Sequence, residues 1–177
     1  MKNNLKLLVL TALFAALCCV ATMSIRIPTP GTSGYIHPGD ALVILSGVFL
    51  GPAYGLLAGG IGSALADLIG GYVIYVPITF VIKGLVALIS GLIYSRAKNS
   101  RRSHTLCVGL GGLTDILLVA GGYYACESLL YGPAGALASV PANLIQGVSG
   151  LVIALVLYPA LSAVPQLRRL RISAHQG

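Results

Sequence analysis

Gly51, Gly55, Gly59, Ser63 and Asp67 recur every four residues. Residues four apart lie on one face of a helix. The spacing therefore draws a narrow strip of small side chains that ends in a carboxylate. Such strips let helix backbones approach closely where no hydrophobic effect drives them together, as inside a bilayer. The stretch continues through Gly70-Gly71-Tyr72 into an apolar run that carries Lys83 and ends at Gly91. Asp67 and Lys83 both sit in sequence that otherwise reads as bilayer-spanning. Ionisable groups in such sequence are costly, and they mark a site or an internal pair. A chain of this kind has to place buried charge inside a closely packed set of helices.

The amino-acid content agrees. Of the 177 residues, 56% are hydrophobic and only 8% are charged, against about 25% charged in a soluble domain. The mean hydropathy is +0.92. The expected fold is an all-α membrane protein, a six transmembrane helix bundle, with residues 1–177 forming one domain. Lys2 and Lys6 ahead of an apolar run suggest a signal peptide. The run continues to Ser24, roughly the twenty residues that a span needs, so we read it as the first membrane helix. Cys18, Cys19, Cys107 and Cys126 show no metal-site or redox spacing and read as ordinary apolar thiols. No cofactor and no metal is expected.

Glycine and proline punctuation sets the expected helices at about 5–24, 39–50, 53–69, 74–94, 105–125 and 138–161. Residues 26–40 and 127–135 read as loops. The second helix is short for a span, and Gly51-Pro52 separates it from the third. Asp40 at its start reads as a carboxylate facing free backbone N–H groups. Six helices place the amino terminus, the polar 96–103 loop and the tail on one side. Lys2, Lys6, Arg96, Lys98, Arg101, Arg102, Arg168, Arg169 and Arg171 all fall there, while Arg26 does not and Lys83 is intrahelical. The positive-inside rule makes that side cytoplasmic, with both termini inside a multi-pass cell-membrane protein. The same bias accounts for the net charge of +7, with basic loops facing anionic lipid. No groove-reading or base-stacking element suggests nucleic acid.

No catalytic motif is present, and His37, His104 and His175 lie outside the expected spans or at their ends, so none can serve Ser63 as a base. The chain does not read as an enzyme. Polar residues gather instead toward the outer face. Tyr35, His37 and Asp40 lie in or after the first outer loop, Asp67, Tyr72 and Tyr75 flank the second, and Tyr123, Tyr124 and Glu127 end the fifth helix. The tyrosines fit an interfacial aromatic belt. Asn143 and Gln146, inside the sixth helix, fit either interhelical glue or ligand contacts.

These features resemble the S component, the substrate-capture subunit, of energy-coupling factor (ECF) vitamin transporters. The residues carrying the resemblance are Ala12-x-x-x-Ala16, Gly34-Tyr-Ile-His-Pro-Gly-Asp40 and Gly51-Pro52-x-Tyr-Gly55. With them go Ala64-Leu-Ala-Asp-Leu-Ile-Gly-Gly-Tyr72, Thr79-Phe-Val-Ile-Lys-Gly84, Glu127 and Pro141-Ala-Asn-Leu-Ile-Gln146. The likeness covers most of the chain and is greatest to the riboflavin, pyridoxine and hydroxymethylpyrimidine branch. It implies a six-helix bundle whose first outer loop is a lid over an outward-facing site. It also implies a membrane coupling subunit that docks on Ala12 and Ala16, and two ATPase subunits. The Ala12/Ala16 pair has a second reading as plain intramolecular packing. A stand-alone secondary transporter or channel, with Lys83 and the aspartates as a proton relay, is the alternative function.

Buried charge sets one further expectation and the polar outer face another. Lys83 and Asp115 lie about 13 and 11 residues up adjacent helices, at matching depth to within roughly 3 Å, so they are expected to pair, with Asp67 as the rival partner. The ligand site is expected among Tyr35, His37, Asp67, Tyr75, Tyr123, Glu127, Asn143 and Gln146. Glu127, with little counter-charge nearby, favours a vitamin B6-like or pyrimidine heterocycle over an anionic vitamin.

Overall fold

The computed structural model describes residues 2–29, 33–97 and 100–168, without the side chains of residues 2–4 and 101. Residues 30–32 between α1 and α2, and Lys98, Arg169, Arg171 and His175, therefore lie outside the described residues. The elements, in order, are α1 (Lys2–Ser24), β1 (Ile27–Pro28), β2 (Tyr35–Ile36), α2 (Asp40–Leu50), α3 (Pro52–Gly70), α4 (Tyr75–Ser95), α5 (Arg101–Tyr131) and α6 (Pro133–Ala163). A last helical turn covers 165–168.

Five of these helices, all except α2, are long and apolar enough to cross a membrane. The expected count of six spans is thus met only as six packed helices. At 11 residues, α2 is about 16 Å long, half the thickness of a bilayer core. Its burial explains how so short an apolar helix is held. Every residue of α2 except Leu42 is buried, and it packs against α1, α3, α4, α5 and α6. The main core, built on Val43, Ile44, Leu45, Val48 and Phe49, surrounds it.

Close approach around α2 depends on absent side chains. A Cβ on Gly47 would lie 2.0 Å from the carbonyl oxygen of Ala87, and one on Gly55 would lie 2.5 Å from the Cα of Gly47. Backbone therefore packs on backbone where α2, α3 and α4 meet, as the four-residue strip on α3 anticipates.

Two chain reversals share one chemistry. Gly51 takes φ 80° and precedes Pro52 at the start of α3, and Gly132 takes φ 82° and precedes Pro133 at the start of α6. A positive φ suits glycine, and proline at the first helical position loses no hydrogen bond. The second of these junctions corrects the expected 127–135 loop. α5 continues to Tyr131 and α6 begins at Pro133, so Glu127 is helical and Pro141 is interior to α6. The segment between α1 and α2 also holds more order than its prolines suggest. β1 and β2 pair antiparallel, Ile27 with Ile36 and Pro28 with Tyr35.

Candidate functional site

The hairpin, α3, α4, α5 and α6 line a small polar cavity of about 20 Å³. Its walls are helical faces. On α3, Asp67 is buried and accepts a 2.7 Å hydrogen bond from the Tyr35 hydroxyl on β2. The Tyr35 ring centroid lies 4.5 Å from that of Tyr72 and 5.6 Å from that of His37. The Arg26 guanidinium stands 5.2 Å from the Tyr35 centroid, against the last turn of α3 at Gly70, where a helix carboxyl end favours a cation. Burial, reinforced by donation to Asp67, pushes the Tyr35 hydroxyl above its ordinary pKa.

Tyr75 and Thr79 are one turn apart on α4, and Tyr123 and Glu127 are one turn apart on α5. The Tyr75 hydroxyl donates to Glu127 Oε1 at 2.9 Å, Ser139 on α6 donates to Glu127 Oε2, and the hydroxyls of Thr79 and Tyr123 share a 2.8 Å bond. Asn143 Nδ2 reaches the Ser139 hydroxyl at 3.4 Å. A carboxylate has about four acceptor positions, so Glu127 and Asp67 keep lone pairs for a ligand. The lining is Thr29, Gly34, Tyr35, His37, Asp67, Tyr75, Thr79, Tyr123, Glu127 and Asn143. Among the described residues it carries two carboxylates and no lysine or arginine. Aromatic walls with a few convergent polar groups are the usual make-up of a small-molecule site.

Seven of the eight expected site residues line this cavity. The exception is Gln146, which lies behind the wall. Its Oε1 accepts the His37 backbone N–H at 3.1 Å and its Nε2 donates to Asp40 Oδ2 at 2.8 Å. His37 folds back so that Nδ1 accepts the Gly39 N–H at 3.1 Å. Burial lowers the His37 pKa to about 4, with the Asp40 carboxylate opposing that shift. Thr29, Gly34, Thr79 and Ser139 join the site without having been expected there. Two of them carry a legible signal: Thr79 is four residues after Tyr75, and Ser139 is four before Asn143.

The expected Lys83–Asp115 pair is corrected. Lys83 Nζ binds Asp40 Oδ1 at 2.5 Å, and neither side chain reaches solvent. Asp40 is therefore not a helix cap but the counter-ion of a buried lysine. Asp67, the rival partner, binds Tyr35 instead. Asp115 lies against Asp40, and the Asp40 Cβ and Asp115 Oδ2 both occupy room left by Gly150. Neither Asp115 oxygen has a hydrogen-bond partner among the described residues. Lys83 Nζ also stands 5.7 Å from the Tyr123 ring centroid, so the charged cluster abuts the cavity wall without lining it.

Ala12 and Ala16 are both exposed on the outer face of α1. The buried face of α1 is Thr11, Phe14, Ala15, Cys18 and Thr22. Intramolecular packing thus does not account for the alanine pair.

Residues 2–163 match the family described as ECF-type riboflavin transporter, S component. An uncharacterized protein of Pyrococcus woesei is 41% identical over 134 residues, which are 76% of this chain and 86% of that one. The thiamine precursor transporter HmpT of Lactococcus lactis subsp. cremoris (strain MG1363) is 31% identical over 160 residues, which are 90% of this chain and 89% of that one. With the match running from α1 to the end of α6, the chain belongs to the family of ECF-type riboflavin transporter S components.

Proposed function

We propose that this chain captures a small vitamin precursor from outside the cell, with a protonatable or donor-rich single-ring heterocycle such as hydroxymethylpyrimidine or a B6-like pyridine as ligand. The observation that carries the choice is the charge of the cavity: Asp67 and Glu127 face it, and no lysine or arginine lines it among the described residues. Ring N–H and amino groups would satisfy those carboxylates with charge-assisted bonds, while Tyr75 and Tyr123 offer faces for stacking. The cavity of about 20 Å³ is far below the roughly 300–1,000 Å³ of a ligand site, so in this reading a ligand enters by displacing the hairpin or the lining side chains. Similarity to a thiamine precursor transporter supports the same choice.

In this reading all six helices lie in the bilayer, with α2 embedded at half depth, and both termini are cytoplasmic. Lys6, Arg96, Arg102 and Arg168, all exposed, would face anionic lipid on that side. The exposed Ala12/Ala16 face receives the membrane coupling subunit, and two ATPase subunits drive release inward. A stand-alone transporter is the rival reading. Uptake by cells expressing the chain alone, against cells co-expressing coupling and ATPase subunits, separates the two.

Titration calorimetry on the purified chain tests the ligand. Hydroxymethylpyrimidine or pyridoxine should bind more tightly than riboflavin or pantothenate. Glu127→Gln should weaken binding about 10- to 100-fold, the loss of roughly 1.5–3 kcal/mol for a hydrogen bond to a charged group. Tight pantothenate binding that Glu127→Gln leaves unchanged would overturn the proposal.

A further inference from the structure

The Gln146 amide holds two groups and is not part of the cavity lining. Its carbonyl side holds the backbone of His37, the last residue of the strap that covers the cavity, and its amino side holds Asp40, the first residue of α2. The orientation is forced. A backbone N–H can only donate and an ionised carboxylate can only accept, so the amide must present oxygen to His37 and nitrogen to Asp40. Asp40 is fixed by Lys83 at 2.5 Å. α2 itself is locked by packing on five helices. A rigid charged pair thus orients an amide, and the amide grips the strap.

The strap has a second hold of a different kind. Tyr35 bonds Asp67 at 2.7 Å and rests on Tyr72, but Tyr35 and Asp67 are themselves cavity lining. A ligand can compete for that hold. It cannot reach the Gln146 hold, which lies behind the wall.

We propose that Gln146 is the positioning residue that clamps the Tyr35–His37 strap over the cavity, and that the buried Asp40–Lys83 pair acts on the cavity through it. The proposal rests on the reading of the cavity as a ligand site only for its consequence in binding. The clamp itself is measurable without ligand.

The experiment is amide hydrogen exchange over residues 33–37 in the ligand-free chain in lipid nanodiscs, with α2 as internal reference. Gln146→Met keeps the length and removes both bonds. It should speed exchange in 33–37 about tenfold or more, tenfold corresponding to about 1.4 kcal/mol, while α2 changes by less than twofold. Gln146→Glu sets a carboxylate against Asp40 and should do the same. The double variant Asp40→Asn with Gln146→Glu reverses the polarity of the bond, with the amide introduced at position 40 now donating, and keeps the charge count. It should restore slow exchange. Asp40→Asn alone gives its one carbonyl oxygen to Lys83 and turns its amino group against that of Gln146, so it should speed strap exchange until Gln146→Glu is added. A merely structural Gln146 would not give that reversal. If Gln146→Glu fails to fold, Gln146→Met and the double variant decide.

Unchanged exchange in Gln146→Met, or equal acceleration in α2, would overturn the clamp, as would a double variant no better than Gln146→Met. Stopped-flow release of hydroxymethylpyrimidine adds the functional arm, with an off-rate up about tenfold and an on-rate little changed. Absence of pyrimidine binding together with a strap-specific exchange response would sink the ligand reading and leave the clamp standing.

Discussion

Removing Lys83 tests the central electrostatic assignment. Lys83→Met keeps the aliphatic stem and deletes the charge. At 2.5 Å and an effective dielectric of about 20, the gross attraction to Asp40 is roughly 6–7 kcal/mol. Part of that is offset in the native protein by the desolvation of both groups. The variant recovers only the lysine's share, because Asp40 stays buried with Asp115 beside it. Breaking a buried pair at one end costs about 3–5 kcal/mol. For a chain of this size that is a fall in melting temperature of about 6–20 °C, at roughly 2–4 °C per kcal/mol. Adding Asp40→Asn removes the stranded charge and keeps an acceptor for the Gln146 amide. The double variant should therefore regain much of the loss, with a coupling energy of about 2–3 kcal/mol. The assay is thermal unfolding of the four proteins of the cycle, followed by circular dichroism. Additive effects of Lys83→Met and Asp40→Asn, with strong coupling of Lys83→Met to Asp115→Asn instead, would refute the Asp40 assignment.

Three other outcomes are expected. Ala16→Leu on the exposed face of α1 should leave ligand binding by the isolated chain intact and abolish uptake in cells that hold coupling subunits, because a large side chain blocks close helix approach; retained uptake would remove the docking face. Acid should loosen the strap. His37 has a folded pKa lowered to about 4 against about 6.5 unfolded, so its contribution is intact above pH 6.5 and is lost as pH falls toward 4, the loss reaching about 2 kcal/mol at pH 5. Hydrogen exchange over 33–37 at pH 7 and pH 5, corrected for intrinsic rates, checks this, and a flat profile would contradict it. A thiol reagent that cannot cross membranes should label Ser100→Cys in inverted vesicles and not in intact cells; labelling of intact cells would reverse the proposed topology.

The helices were legible because glycine and proline mark their ends, and the boundaries at Gly51-Pro52 and Gly70-Gly71 match the structure to within a residue or two. The α5–α6 junction was missed although it repeats Gly51-Pro52-Ala53 as Gly132-Pro133-Ala134. The glycines and prolines there suggest a loop over 127–135, whereas Gly132-Pro133 makes one sharp reversal between two continuous helices. The cavity residues were legible because polar side chains in apolar helices are few. The partner of Lys83 was not. Rise per residue gives height along a helix, and height alone favoured Asp115. Which carboxylate faces the lysine depends on helix rotation and on what lies between the helices. Here a short helix that belongs to the centre of the bundle brings Asp40 to Lys83. Its length suggested a marginal element, and only its contacts reveal it as the core.

The acidic residues divide by task. The chain has four, Asp40, Asp67, Asp115 and Glu127, and all four are buried. Asp40 is paired with Lys83, and Asp115 lies beside Asp40, on the closed side of the cavity wall, while Asp67 and Glu127 are held by hydroxyls on the open side. A hydroxyl satisfies a lone pair but supplies no compensating charge. Burial of Asp67 and Glu127 therefore leaves a negative potential that these partners do not cancel, in a setting where screening by salt is weak. A ligand with a positive ring or several N–H donors would cancel it, and an anion would add to it. The same fields act on Lys83, whose tie to Asp40 keeps it from swinging into the cavity as a competing cation. Discrimination between cationic and anionic vitamins would then come from where one lysine is held as much as from the residues that touch the ligand.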